Sequence, residues 1–155
     1  SAIDAMLAPF AREGGENPGA IYDEMREMMQ QKVGIIRHGD RLTEALSDID
    51  EFAMRTASAF PGSSKIYNTG WHQALDLENM LIISRACAVA ALTREESRGG
   101  HTREDHPEPD KGMWSHTINI IQLEDGQLII RQHTISQPPA ELEALLDRSR
   151  KQEEE

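Results

Sequence analysis

Tyr67–Pro107 reads YNTGWHQALDLENMLIISRACAVAALTREESRGGHTREDHP, and its two halves carry different chemistry. After the turn-like Asn68-Thr69-Gly70, about twenty residues pass with almost no polar interruption. Charge then arrives at once, from Arg94 to His106, punctuated by Gly99-Gly100. The pattern predicts a helix over Ala74–Arg98, following a loop Ser63–Gln73 that carries Tyr67, Trp71 and His72. Its apolar residues run most of the way round, so it is expected to be packed on most sides, either as the central helix of a bundle or as one also covered by a neighbouring domain. Cys87 is then a small core residue, and truncating Leu81 is expected to cost about 2–5 kcal/mol. Gly99-Gly100 resembles a helix C-cap. The charged loop is delivered at one end of the helix.

The flanking segments supply the helix's partners. Asn17-Pro18 is a helix start, because an Asn side chain accepts orphan backbone donors and Pro at the first helical position loses nothing by lacking N–H. Ile21, Met25, Met28/Met29 and Val33 then recur on one stripe. The run Gly34-Ile35-Ile36 loosens this helix near Arg37–Gly39. Asp40 is expected to cap a second helix with Leu42, Leu46, Ile49, Phe52/Ala53, Ala57 and Phe60 on one face, stopped by Pro61-Gly62. The short connection makes the two antiparallel. Further on, Pro107 and Pro109 exclude helix. His116–Leu123 and Gln127–Ile135, rich in β-branched residues, flank Glu124-Asp125-Gly126, a hairpin pattern. Ala140–Arg150 reads as a short terminal helix.

The expected fold is mainly α: a spectrin-repeat-like, three-helix antiparallel bundle with a C-terminal β-hairpin and a short terminal helix. Its boundaries are an arm over residues 1–16, the bundle over 17–106, loop and hairpin over 107–136, and a tail over 137–155. The chain begins mid-pattern without an initiator Met, which predicts a piece of a longer polypeptide. At 155 residues it is one domain, and its formal charge of −11 disfavours nucleic acid and anionic membrane surfaces. One cysteine gives no disulfide framework and no thiolate metal site. Leu75–Leu92 comes nearest to a membrane span, but Asp76, Glu78 and Arg85 interrupt it.

The loop admits three readings. A metal site on His101, Asp105, His106 and His116 uses suitable ligand types, but no HExxH or i,i+4 His pair supports it. A His–carboxylate acid/base pair such as His101 with Asp105 needs a contact that spacing does not show. The third is an ion-pair knot, with Arg94, Arg98 and Arg103 forking to Glu95, Glu96 and Asp105, a bidentate role that guanidinium suits. Residue types favour the knot. Trp71 and Trp114 are packing anchors.

The succession Val33-Gly34-Ile35-Ile36-Arg37, Trp71-His72-Gln73-Ala74-Leu75-Asp76-Leu77-Glu78-Asn79-Met80 and the RxESRGxHxREDxP pattern over Arg94–Pro107 resembles one family. It is the C-terminal domain of succinate dehydrogenase/fumarate reductase flavoprotein subunits, a region shared with L-aspartate oxidase. Trp114-Ser115-His116-Thr117, the hairpin and Ile130-Arg131 resemble the ending of the dehydrogenase branch. The resemblance covers about Pro9 to Ser136 and implies an FAD-dependent oxidoreductase of the tricarboxylic acid cycle and electron transport. In that family hydride passes to the flavin and electrons pass through iron–sulfur clusters to a quinone. FAD and the dicarboxylate are held by flavin-binding and capping domains, and no GxGxxG or flavin-attachment segment occurs here. No family catalytic, cofactor or metal residue can therefore be carried over, and the piece alone is expected to be non-catalytic. The resemblance implies a docking role for Arg94, Arg98, His101, Arg103, Asp105, Trp71 and Trp114, facing the flavin domain or the iron–sulfur subunit. It also implies a cytoplasmic place, peripheral on the inner face of the cell membrane through partner subunits. The alternatives are an L-aspartate oxidase domain and an autonomous His/Asp metal-binding domain.

Overall fold

The computed structural model describes residues 1–136 and 138–142. A short helix α1 (Ala2–Leu7) and a 3-10 turn (Ala8–Ala11) lead into α2 (Pro18–Lys32), β1 (Ile36–Arg37), α3 (Gly39–Ala57) and α4 (Thr69–Thr93). The two-residue β2 (Thr102–Arg103), a 3-10 turn (Met113–His116), β3 (Thr117–Glu124) and β4 (Gln127–Thr134) follow. Helices α2, α3 and α4 pack against one another as the expected three-helix bundle, and β3 with β4 forms the hairpin. Residues 140–142 are helical. The rest of the expected terminal helix lies outside the described residues.

Each helix buries one stripe. On α2 the buried positions are Pro18, Ile21, Met25 and Met28, with Val33 just beyond; on α3 they are Leu42, Ala45, Ile49, Phe52 and Thr56; on α4 they are Ala74, Leu77, Ser84, Ala88 and Ala91. The alternation of three- and four-residue steps keeps each set on one face. Small residues on α4 let its backbone lie close to its neighbours.

Four sequence expectations shift. Helix α4 starts and ends five residues earlier than expected. Asn68 accepts a hydrogen bond from the Trp71 amide at 2.9 Å and nucleates the helix there, placing Trp71 and His72 in its first turn. At the other end Arg94 turns extended. Helix α3 begins at Gly39, capped by His38, whose Nδ1 accepts from the Asp40 amide; it ends at Ala57, so Phe60 lies beyond it. Cys87 is exposed, together with Ile83 (63% exposed) and Ile82, because α4 runs along the outside of a three-membered bundle that covers only one side of it. Leu81 accordingly packs on the core only in part.

The arm and the hairpin cover what the helices leave open. Arg12 donates to the Thr56 carbonyl in the last turn of α3 and to the Ala59 carbonyl just beyond it, Glu16 pairs with Arg55, and the Phe60 amide donates to the Glu16 carbonyl. Gly15 (φ +149°) is required, since a Cβ there would sit 2.0 Å from the Ser58 carbonyl oxygen. Trp71 packs at a tilt against Phe10 and donates Nε1–H to the Met6 carbonyl, fastening the arm to the start of α4. In the hairpin, Asp125 and Gly126 both take positive φ, the two-residue turn whose twist matches paired strands. Asn119 Nδ2 donates to the Ala90 carbonyl, and at the tip Leu123 and Leu128 line a cleft with Ile49, Ala53, Leu81 and Ile82. The hairpin thus lies over the α3/α4 groove.

Candidate functional site

The chemistry-bearing residues converge where α4 ends. Glu96 is fully buried there and collects three partners. Arg94 donates Nε–H at 2.8 Å and a second N–H to Oε1, Arg98 donates Nη2–H to Oε2 at 3.0 Å, and the Asp110 amide donates to Oε2 at 2.8 Å. Burial alone would raise this carboxyl's pKa. The hydrogen bonds from Arg98, the Asp110 amide and Arg94 overcome that and hold it down at about 2. Arg94 also donates to the Thr117 and Trp114 carbonyls and lies over the buried Trp114 ring, 5.1 Å from its centre. Asp110 in turn accepts from the Gly112 and Trp114 amides. Glu96 therefore fixes the root of the hairpin.

A second pair sits beside the first. The Arg103 side chain is only 3% exposed. Its Nη1 donates to the Ala91, Leu92 and Arg94 carbonyls at 2.9, 3.0 and 3.2 Å. These are the orphan acceptors of the last turn of α4, where a cation also complements the helix dipole. The rest of the guanidinium forks onto Asp105 at 2.8 and 2.7 Å, and Asp105 accepts from the Gly39 amide at the start of α3. The hydrogen bond from Arg103 pulls the Asp105 carboxyl well below the usual carboxylate range, against the effect of burial. One ion pair thus joins the negative end of α4 to the positive end of α3. This replaces the expected glycine cap: Gly99-Gly100 instead turns the chain between Arg98 and His101, which form a β-bridge.

His101 is held from both sides. A guanidinium only donates, so the contact from Arg37 makes His101 Nδ1 the acceptor, and Nε2–H donates to the Arg94 carbonyl at 3.1 Å. Around it β1 pairs in parallel with β2, Ile36 opposite Thr102 and Arg37 opposite Arg103. Ser97 accepts the Arg103 amide and donates to the His106 carbonyl at 2.8 Å.

The loop thus brings Arg94, Arg98, His101, Arg103, Asp105 and Trp114 together as a knot. Trp71 stands at the opposite end of α4, about 35 Å away at 1.5 Å per residue. Glu95 is exposed and has no described hydrogen bond or ion pair to the arginines, and the residue that sequence reasoning did not foresee is Asp110, whose amide donates to Glu96 and whose carbonyl accepts from Arg98. Arg37, Gly39 and Ser97 were also missed: the first two looked like a frayed helix end, and Ser97 was one hydroxyl among many charges. His106 lies 3.8 Å from Asp105, while His116 is in the 3-10 turn at the base of the hairpin. Among the described residues no group of three or more His, Cys, Asp or Glu could hold a metal ion. With both carboxylates ionised far below neutral pH and capped by guanidinium, the knot's chemistry is shape-holding. Gly99-Gly100 is not a phosphate cradle of the helix-start kind, because it follows α4 rather than opening a helix.

Known proteins resemble the chain in sequence and in fold. Residues 22–145 match the family described as the fumarate reductase flavoprotein C-term. The succinate dehydrogenase flavoprotein subunit of Coxiella burnetii is 33% identical over 135 residues, covering 83% of this chain and 22% of its own length. The fumarate reductase flavoprotein subunit of Helicobacter pylori is 36% identical over 112 residues, 72% of this chain and 16% of its own. Among solved structures, a chain of the Mycobacterium smegmatis Sdh1 complex in the apo form superposes with TM-score 0.78 and 38% identity, over 89% of this chain and 24% of that one. The chain thus spans less than a quarter of each of these relatives. None of the three is an L-aspartate oxidase.

Proposed function

The chain belongs to the fumarate reductase flavoprotein C-terminal family, and from that premise we propose that it serves as the helical C-terminal domain of a succinate dehydrogenase/fumarate reductase flavoprotein subunit. The observation that carries this reading is the agreement of sequence and shape over one region, 38% identity at TM-score 0.78 across 89% of the chain. The whole subunit would be an FAD-dependent oxidoreductase interconverting succinate and fumarate. FAD and the dicarboxylate would be held by its flavin-binding and capping domains, outside this chain. The domain's own work is docking. Arg94, Arg103, Asp105 and Trp114 turn inward and stiffen the end of α4, and that rigid base presents Arg98 (its side chain 46% exposed) and His101 to the neighbouring flavin domain. Trp71 does the same for the arm at the other end of α4. The iron–sulfur subunit is the second partner, and the complex would hold the domain peripherally on the inner face of the cell membrane. No helix among the described residues is long and apolar enough to cross a membrane.

The test adds the purified chain to a related flavoprotein lacking its own C-terminal region and follows association and succinate-dependent dye reduction. Association with a gain in activity is expected. Arg98→Ala should weaken association by about tenfold, as interface arginines often do. Its melting temperature should fall by only a few degrees, because Glu96 keeps Arg94 and the Asp110 amide. Stoichiometric FAD on the chain alone, or no association with the truncated flavoprotein, overturns the reading.

A further inference from the structure

The His101 imidazole bridges two helix ends that lie far apart in sequence. Arg37 donates Nε–H to the Gly34 carbonyl at 2.6 Å and to the Val33 carbonyl at 3.2 Å, closing the C-terminal end of α2, and places Nη1–H on His101 Nδ1. The other ring nitrogen donates to the Arg94 carbonyl at the C-terminal end of α4. We propose that His101 is a proton-operated clasp: the neutral ring ties the ends of α2 and α4 together, and a proton taken from water onto Nδ1 expels Arg37 and opens the tie. The geometry permits no intermediate state, since Nδ1 cannot accept from a guanidinium and carry a proton together.

The surroundings bias the clasp closed at neutral pH. The charged groups facing His101 are Arg37 from β1, Arg94 from the end of α4 and Arg103 from β2, with Asp105 already taken by Arg103. The Cys87 thiol of α4 lies on the Arg37 side. None of the described salt bridges gives His101 a carboxylate. Burial first, then these three cations, push the ring's pKa below the ordinary 6.5, outweighing the Arg94 carbonyl. As pH falls through 6.5 the unfolded chain takes up the proton before the folded one, so stability drops from there until the folded ring is also protonated. The first bonds to loosen are those from the Thr102 and Glu104 amides to the Ile35 and Arg37 carbonyls.

The experiment is a pH titration, from 8 to 5, of the intact chain carrying nitrogen-15 histidine, with amide exchange measured in parallel. At pH 8 His101 should show Nε2 protonated and Nδ1 bare, and its midpoint should lie below 6.5. The Thr102 and Glu104 amides should lose about tenfold in exchange protection with the same midpoint. In Arg37→Met the midpoint should rise and the coupled loss of protection should disappear. A proton on Nδ1 at pH 8, a midpoint at or above 6.5, or amides indifferent to His101 overturns the proposal, and each can be read on the unsubstituted protein.

Discussion

Glu96→Gln tests the knot most directly, because it removes one charge while keeping shape. In the folded protein the carboxyl is held at about 2 against an ordinary 4.5. At about 1.4 kcal/mol per pH unit this amounts to ~3 kcal/mol of stability at neutral pH. Arg98 is half in water, so screening trims that figure, and a loss of about 2–3 kcal/mol is expected. In a domain of this size it lowers the melting temperature by roughly 5–10 °C. The sign with pH follows from the depressed value. As pH falls below 4.5 the unfolded chain protonates Glu96 first, so the contribution disappears between about pH 5 and pH 2. Urea denaturation of both proteins at pH 7 and at pH 3 gives the result. The gap between them should be largest at pH 7 and shrink by more than half at pH 3, and Asp105, common to both, cancels in the difference. A gap below about 0.5 kcal/mol at pH 7, the size of an ordinary surface substitution, or one unchanged by acid, would refute the assignment of Glu96 as the charge that organises the loop.

Two further substitutions probe the packing. Gly39→Ala would place a Cβ 2.8 Å from Asp105 Oδ2 and 3.2 Å from Arg103 Nη2; it should cost about 1–2 kcal/mol by displacing the pair that joins α3 to α4, although alanine is normally the better helix former. A melt of equal or higher midpoint contradicts this. Leu77→Ala should cost about 2–5 kcal/mol, as Leu77 is fully buried, whereas Ile83→Ala on the open side of α4 should cost under about 1 kcal/mol. Equal costs in urea denaturation would place Ile83 in the core.

Local rules made much of this molecule legible in its sequence. Asn17-Pro18 favours a helix start through its own side chain and fixed φ, Asp125-Gly126 turns a hairpin because both residues tolerate positive φ, and three- and four-residue spacing names Ile21, Met25, Leu42 and Ile49 as core. The spread of Arg, Glu and Asp after Thr93 identified the knot by residue type, and the motif identified the family. Four matters needed the folded chain. Composition showed α4 apolar on most sides, but only the positions of α2 and α3 decide that Leu77 is buried while Ile83 and Cys87 face outward. Charge pattern offered Glu95 and Glu96 equally, and the path of Asp110 and the hairpin root selects Glu96. The glycine pair looked like a helix cap until Arg103, reaching back from ten residues further on, took the last carbonyls of α4. Arg37 and His101 stand 64 residues apart, and no local pattern relates them. Periodicity and turn chemistry are set by neighbours in the chain, whereas the partner of a charge is set by whatever the fold brings within about 3 Å of it.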